Sequence, residues 1–108
     1  MLYPATKYIE ENIFNPDLSN AILTKQARIS EVYLRKLFLS QYNTTPKQYI
    51  LNIRINKAKQ LLTDTPFTIT AISEECGFKS LYHFCRIFKA KTGLTTTQYA
   101  KLNKTFLL

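Results

Sequence analysis

Two stretches of this chain repeat one another at a nearly fixed distance, and few folds accommodate that. At an offset of 49, Leu18 stands against Phe67, Ser19 against Thr68, Leu23 against Ile72, Ala27 against Cys76 and Ile29 against Phe78. One extra residue enters after this, and from Ser30 the offset is 50. Ser30 then pairs with Ser80, Leu34 with Phe84, Lys36 with Arg86, Leu37 with Ile87 and Phe38 with Phe88. The match runs on through Thr45 with Thr95, Gln48 with Gln98 and Tyr49 with Tyr99. Core-type positions, a cap and one basic position recur together, so the chain holds two similar supersecondary units.

Each unit has the same local grammar. In the second, the stretch KSLYHFCRIFKAK (79–91) places Phe84, Ile87 and Phe88 on one helical stripe, with Leu81 at its edge. Ser80 is suited to the N-cap, and Gly93 to the left-handed residue that stops the helix. Cys76-Gly77-Phe78 reads as a tight corner after a short helix from about Ile69 to Glu75. In the first unit, a helix from about Ser19 to Ala27 precedes SEVYLRKLFLSQY, capped by Ser30 and closed by Asn43, with Leu34, Leu37 and Phe38 inward. A short helix, a corner and a longer amphipathic helix make a helix-turn-helix.

The remaining segments join these units. Residues 1–5 read as a frayed tail, and a first helix opens at Ala5 or Thr6, with Tyr8, Ile9 and Ile13 inward, until Asn15-Pro16-Asp17 breaks it. Thr45 caps a long helix with Pro46 at its first position, running to about Leu62. Its apolar residues spread over more than one face, as expected of a spacer that touches a packed unit on each side. A closing helix spans Thr95 to about Leu102, and the final KTFLL is read as a docked tail or a simple end. The expected fold is all-α with about seven helices. Within 1–108, the first helix-turn-helix covers 6–45, the linker helix 46–63 and the second helix-turn-helix 67–102.

Charge narrows the partner. Fifteen Lys and Arg against seven Asp and Glu give +8. Residues 1–54 hold seven basic and four acidic side chains, and residues 55–108 hold eight and three. The 79–91 stretch has no acid at all. Such an imbalance favours a polyanion, nucleic acid first and an anionic surface second. At 45% apolar residues the chain can build a core. No apolar run approaches the roughly 20 residues that cross a bilayer, and no signal peptide is read. The expectation is a soluble, intracellular protein. Cys76 and Cys85 fit neither a redox nor a zinc spacing, and His83 does not complete a metal site with them. There is no Gly-rich phosphate loop and no nucleophile with a base partner, so neither an enzyme nor a cofactor is expected.

The outward positions of the two second helices are the candidate DNA contacts. On the later helix these are Tyr82, Cys85, Arg86 and Lys89, with Lys79, Ser80 and Leu81 at its start. On the earlier helix they are Glu31, Val32, Arg35 and Lys36. Arg86 is the leading base reader, because a guanidinium can bond O6 and N7 of guanine together. Lys79 and Lys89 suit phosphates, Tyr82 a thymine methyl or a phosphate, and the helix starts at Ser30 and Ser80 can offer backbone N–H groups to phosphate. A linker of about 17 residues is ~25 Å long, which with the flanking helices suits two reading helices about one DNA turn, roughly 34 Å, apart. Arg54, Glu74, Glu75, His83, Lys57 and Lys59 have duller readings: a structural partner for Arg54, a half-buried core neighbour for His83, solvated side chains for the others.

These residues resemble the AraC/XylS family of bacterial transcription regulators over about residues 7–100. The pattern is Gly-Phe, then Phe-x-Arg-x-Phe-Lys, then Gly-x-Thr-Pro-x-x-Tyr. Gly77, Phe78, Phe84, Arg86, Phe88, Lys89, Gly93, Thr95 and Tyr99 match it, as do Tyr49, Arg54, Ala58 and Leu62 of the linker. Thr96 stands where proline is usual, Ala100 where an arginine is frequent, and Asn43 where glycine is usual. The resemblance implies sequence-specific binding to double-stranded promoter DNA, and activation through contact with RNA polymerase. It also implies either a free-standing short regulator or the DNA-binding end of a longer protein controlled by an N-terminal effector or dimerisation domain, with this stretch monomeric, in the bacterial cytoplasm at the nucleoid. The competing reading is an all-α basic module for an acidic protein or an anionic surface. An exposed apolar face flanked by lysines would be needed for a membrane, and the repeat assigns those apolar residues to cores.

Overall fold

The computed structural model describes residues 3–103, with side chains from Ala5 onward. Among the described residues seven helices follow one another: α1 Tyr3–Asn12, α2 Asn20–Ala27, α3 Glu31–Tyr42, α4 Pro46–Asp64, α5 Ile69–Glu75, α6 Leu81–Thr92 and α7 Thr96–Asn103. Among the described residues there is no strand. The chain divides into two compact units, residues 1–53 and 54–108, so that the division falls inside α4.

The helix ends follow from local chemistry. Ser19, Ser30, Thr68 and Ser80 each sit at an N-cap and accept from the backbone N–H three residues on: Ile22 at 3.3 Å, Tyr33 at 3.1 Å, Ala71 at 3.1 Å and His83 at 3.0 Å. Thr95 and Gln98 form a reciprocal capping box. The Gln98 N–H donates to Thr95 Oγ1 at 3.1 Å, and the Thr95 N–H donates to Gln98 Oε1 at 2.9 Å. In the repeat, the Gln48 N–H donates to Thr45 Oγ1 at 3.2 Å ahead of α4. Asn43 and Gly93 close α3 and α6 in the left-handed conformation, at φ 56° and 81°.

Some expected bounds move. The helix expected from Ala5 or Thr6 begins at Tyr3, because Pro4 in a first turn gives up an N–H that has no partner there. Residues 1 and 2 of the expected frayed tail lie outside the described residues, as does the terminal KTFLL. The linker helix extends two residues past Leu62, to Asp64. The closing helix starts at Thr96, with Thr95 as its cap, and ends at Asn103.

Each unit has its own core. In the first, Ala5, Ile9, Leu23, Leu34, Phe38 and Ile50 are buried together, with Tyr49, Leu37 and Ile29 packed against them. Phe38 meets Tyr49 edge-on, with ring centroids 5.5 Å apart. Burial, with Tyr42 and Glu10 adding to it, raises the Tyr49 hydroxyl above its ordinary range. In the second unit the rings run in series: Phe78 to Phe84 at 5.1 Å, Phe84 to Phe88 at 5.9 Å, Phe88 to Tyr99 edge-on at 5.4 Å. The Phe38–Tyr49 and Phe88–Tyr99 pairs are the same contact in the two copies of the repeat.

Arg54 is taken out of water, 7% exposed, with its guanidinium 6.0 Å from the Phe78 ring centre. That placement fits the structural role expected for it, and burial pulls its pKa down. His83 is half-buried against Phe78, centroids 5.9 Å apart, and Glu74 and Glu75 are exposed, all as expected. Lys57 and Lys59 are half-buried instead of fully solvated. Ala100 is buried, so this position serves the core of the second unit.

Candidate nucleic-acid interface

The second unit positions its outward side chains through one corner and one core. At the end of α5, the Phe78 N–H donates to Ser73 O at 3.0 Å and the Gly77 N–H to Glu74 O at 3.1 Å. This pair of bonds closes the helix with Gly77 at φ 88°, where a side chain would be strained. The chain then turns into Ser80 and α6. Phe84 and Phe88 are fully buried and fix the rotation of α6 about its axis. The opposite side therefore faces water: Lys79, Ser80, Leu81, Tyr82, Arg86 and Lys89 are all exposed, Tyr82 at 77%.

Tyr82, Cys85, Arg86, Lys89 and Ala90 line an open depression of about 620 Å³ with Thr95 and Thr96 at the start of α7. Four of the seven expected contacts of this unit, Tyr82, Cys85, Arg86 and Lys89, are thus neighbours on one outward surface, Leu81 and Ser80 leading into it from the helix start. Lys79 precedes the cap. α6 has no acid in its first turn, and Lys89 and Lys91 lie in its last. Cys85 is a free, half-buried thiol within this surface.

The first unit repeats the frame with different chemistry. Leu34 and Phe38 are fully buried, and Val32, Arg35 and Lys36 are exposed on the far side of α3. Glu31 is exposed too, but its Oε1 accepts from Asn20 Nδ2 at 3.4 Å, which draws it toward α2. The corner differs most. The Ile29 N–H donates to Thr24 O at 3.2 Å, as in the second unit, yet the left-handed residue is Arg28, at φ 56° and ψ 42°. Arg28 stands in the repeat where Gly77 stands, exposed where the glycine is buried. Sequence reasoning passed over Arg28; the offset of 49 that aligns it with Gly77 was the available signal. Leu39, 47% exposed on the same side as Val32, was also passed over, because it pairs with a lysine in the other copy.

Among the described residues, no group of three or more His, Cys, Asp or Glu could hold a metal ion, and no helix is long and apolar enough to cross a membrane.

Comparison with known proteins bears on what this surface is for. The model of a family described as a helix-turn-helix domain matches residues 23–102. The transcriptional activator RhaR of Salmonella arizonae is 37% identical over 79 residues, covering 73% of this chain and 28% of that protein. The chain thus spans under a third of the length of the curated relatives it matches. The C-terminal domain of the two-component response regulator YesN from Fusobacterium nucleatum superimposes with a TM-score of 0.84 at 28% identity, covering 89% of this chain and 93% of that one. A probable AraC family transcriptional regulator from Rhodopseudomonas palustris superimposes with a TM-score of 0.77 at 28% identity, covering 96% and 97%. The repeated helix-turn-helix, its capped second helices and these likenesses agree: the chain belongs to the AraC-type helix-turn-helix family of DNA-binding transcription regulators.

Proposed function

We propose that this chain binds double-stranded DNA sequence-specifically by placing the outward faces of α3 and α6 in major grooves, and that it does so to regulate transcription. The observation that carries the reading is the outward side of α6. Tyr82, Arg86 and Lys89 are exposed there together, opposite a fully buried Phe84 and Phe88, on a helix with no acid. A helix of 12 residues with this division fits a groove about 12 Å wide. Arg86 is assigned to a guanine edge, Lys79 and Lys89 to phosphates, and Tyr82 and Leu81 to flanking bases or backbone. Ser80 and its helix start offer N–H groups to phosphate. In the first unit Val32, Arg35 and Lys36 take the equivalent places, with Glu31 at the rim.

RhaR is an activator by name, and activation through RNA polymerase is the corresponding proposal here. A bacterial cytoplasmic location, a monomeric state for this stretch, and a further effector or dimerisation domain in the whole protein belong to the same reading. So do the subdivision into 6–45, 46–63 and 67–102 and the absence of catalysis. The alternative of a basic module for acidic proteins is disfavoured by the family.

Selection from a random duplex pool at near-physiological salt tests the proposal. Enrichment of two distinct half-sites is the expected result. One half-site would restrict base reading to one unit, and binding that tracks only ionic strength would reduce the chain to a polyanion binder.

A further inference from the structure

The two outward faces differ in one respect that the repeat makes exact to the residue. Positions 32, 36 and 39 share a stripe of α3, as 82, 86 and 89 share one of α6. On α6 the stripe is Tyr82, Arg86 and Lys89; on α3 it is Val32, Lys36 and Leu39. Val32 is 66% exposed and Leu39 47%, while Leu34 and Phe38, on the other side of the helix, are fully buried. Two large apolar side chains thus bracket one lysine on a surface that the core of the unit does not use.

We infer that this face is a methyl reader: Val32 covers the C5-methyl group of a thymine in the half-site bound by the first unit. The inference rests on the DNA-binding reading above and specifies the base chemistry of one half-site. Three features favour a groove edge over a protein partner as the occupant. Arg35 and Lys36, both exposed, surround Val32 with the charge that phosphates need. Glu31 is drawn toward Asn20 of α2 and leaves the stripe without a carboxylate of its own. Val32 also lies in the first turn of α3, two residues after the Ser30 cap, the end of a recognition helix that meets base edges. In the major groove only thymine offers an apolar group, so a branched aliphatic side chain there selects it.

The test uses the 108-residue chain and the duplex enriched by selection. Each thymine is replaced singly by deoxyuridine, which removes the methyl group and leaves every hydrogen-bonding edge in place. One replacement should weaken binding by the wild-type chain by about fourfold, the worth of one buried methyl. The same replacement should leave the affinity of Val32→Ala unchanged, and replacements elsewhere should act alike on both chains. Val32→Ala keeps its helix, since the side chain is exposed and alanine is the stronger helix former, and circular dichroism checks this. If no deoxyuridine acts, or if all act equally on wild type and variant, the methyl-reading assignment is wrong while sequence-specific binding stands. If no duplex is enriched at all, the DNA-reading proposal falls and takes this one with it.

Discussion

At the corner before each second helix the backbone needs a residue at positive φ, and it meets that need with Arg28 in one copy and Gly77 in the other. A side chain in the left-handed region costs roughly 1–2 kcal/mol, which glycine avoids at some entropic expense. Arg28→Gly should therefore stabilise the first unit by about 0.5–1 kcal/mol, read as a higher urea midpoint; a lower midpoint would mean that the guanidinium holds the corner. Cys76 behaves differently. Burial holds its thiol up to about 11, against an ordinary value near 9. In that window the unfolded thiol ionises while the folded one keeps its proton, so folding loses stability as pH rises from about 9 towards 11. Replacing Cys76 with Ala should flatten that part of the alkaline decline in denaturation curves. Under native conditions an alkylating reagent should modify the half-exposed Cys85 and spare Cys76, as mass spectrometry would report. At the reading face, Arg86→Ala should weaken binding to the selected duplex by about 1–3 kcal/mol and relax discrimination at one base pair. A loss equal across all sequences would instead make Arg86 a phosphate contact.

The helices owe their orientation to a few buried rings. Removing one of them, with Phe88→Ala, should destabilise the second unit by about 3–5 kcal/mol, since Phe88 is fully buried between Phe84 and Tyr99. Hydrogen exchange along α6 and α7 would register the loss. Gly93→Ala should cost only about 1 kcal/mol, because nothing lies within 4 Å of the added methyl and only φ +81° is at stake. These elements were largely legible in the sequence. Ser30, Ser80, Asn43 and Gly93 announce helix ends through side-chain chemistry that acts over three or four residues, and the Phe84/Phe88 stripe announces a buried face. The start of α1 was not legible, because Pro4 fits equally well before a helix and inside its first turn. The strain at Arg28 was legible only through the repeat that aligns it with Gly77, since arginine itself does not advertise a left-handed backbone. Arg54 could be read as structural from its apolar neighbours, but its seat against Phe78, 24 positions later, depends on tertiary packing.

Across the whole chain the charge is uneven in a way that should appear in binding. Residues 1–53 hold six basic and four acidic side chains, net +2, and residues 54–108 hold nine and three, net +6. The second unit should therefore supply most of the salt-dependent attraction. Lys89→Ala is expected to weaken binding evenly across sequences and to lower the salt slope by about one, measured by anisotropy titrations at several ionic strengths. The first unit, with Val32 and Leu39 outward, should contribute more to base choice than to charge. The central claim, that the outward faces of α3 and α6 lie in major grooves, is tested most directly by methylation interference on the selected duplex. Dimethyl sulfate methylates guanine at N7, in the major groove, and adenine at N3, in the minor groove. The account expects N7 methylation of at least one guanine to block binding by the wild-type chain, with that block lost in Arg86→Ala. Interference from N3 methylation alone would contradict it.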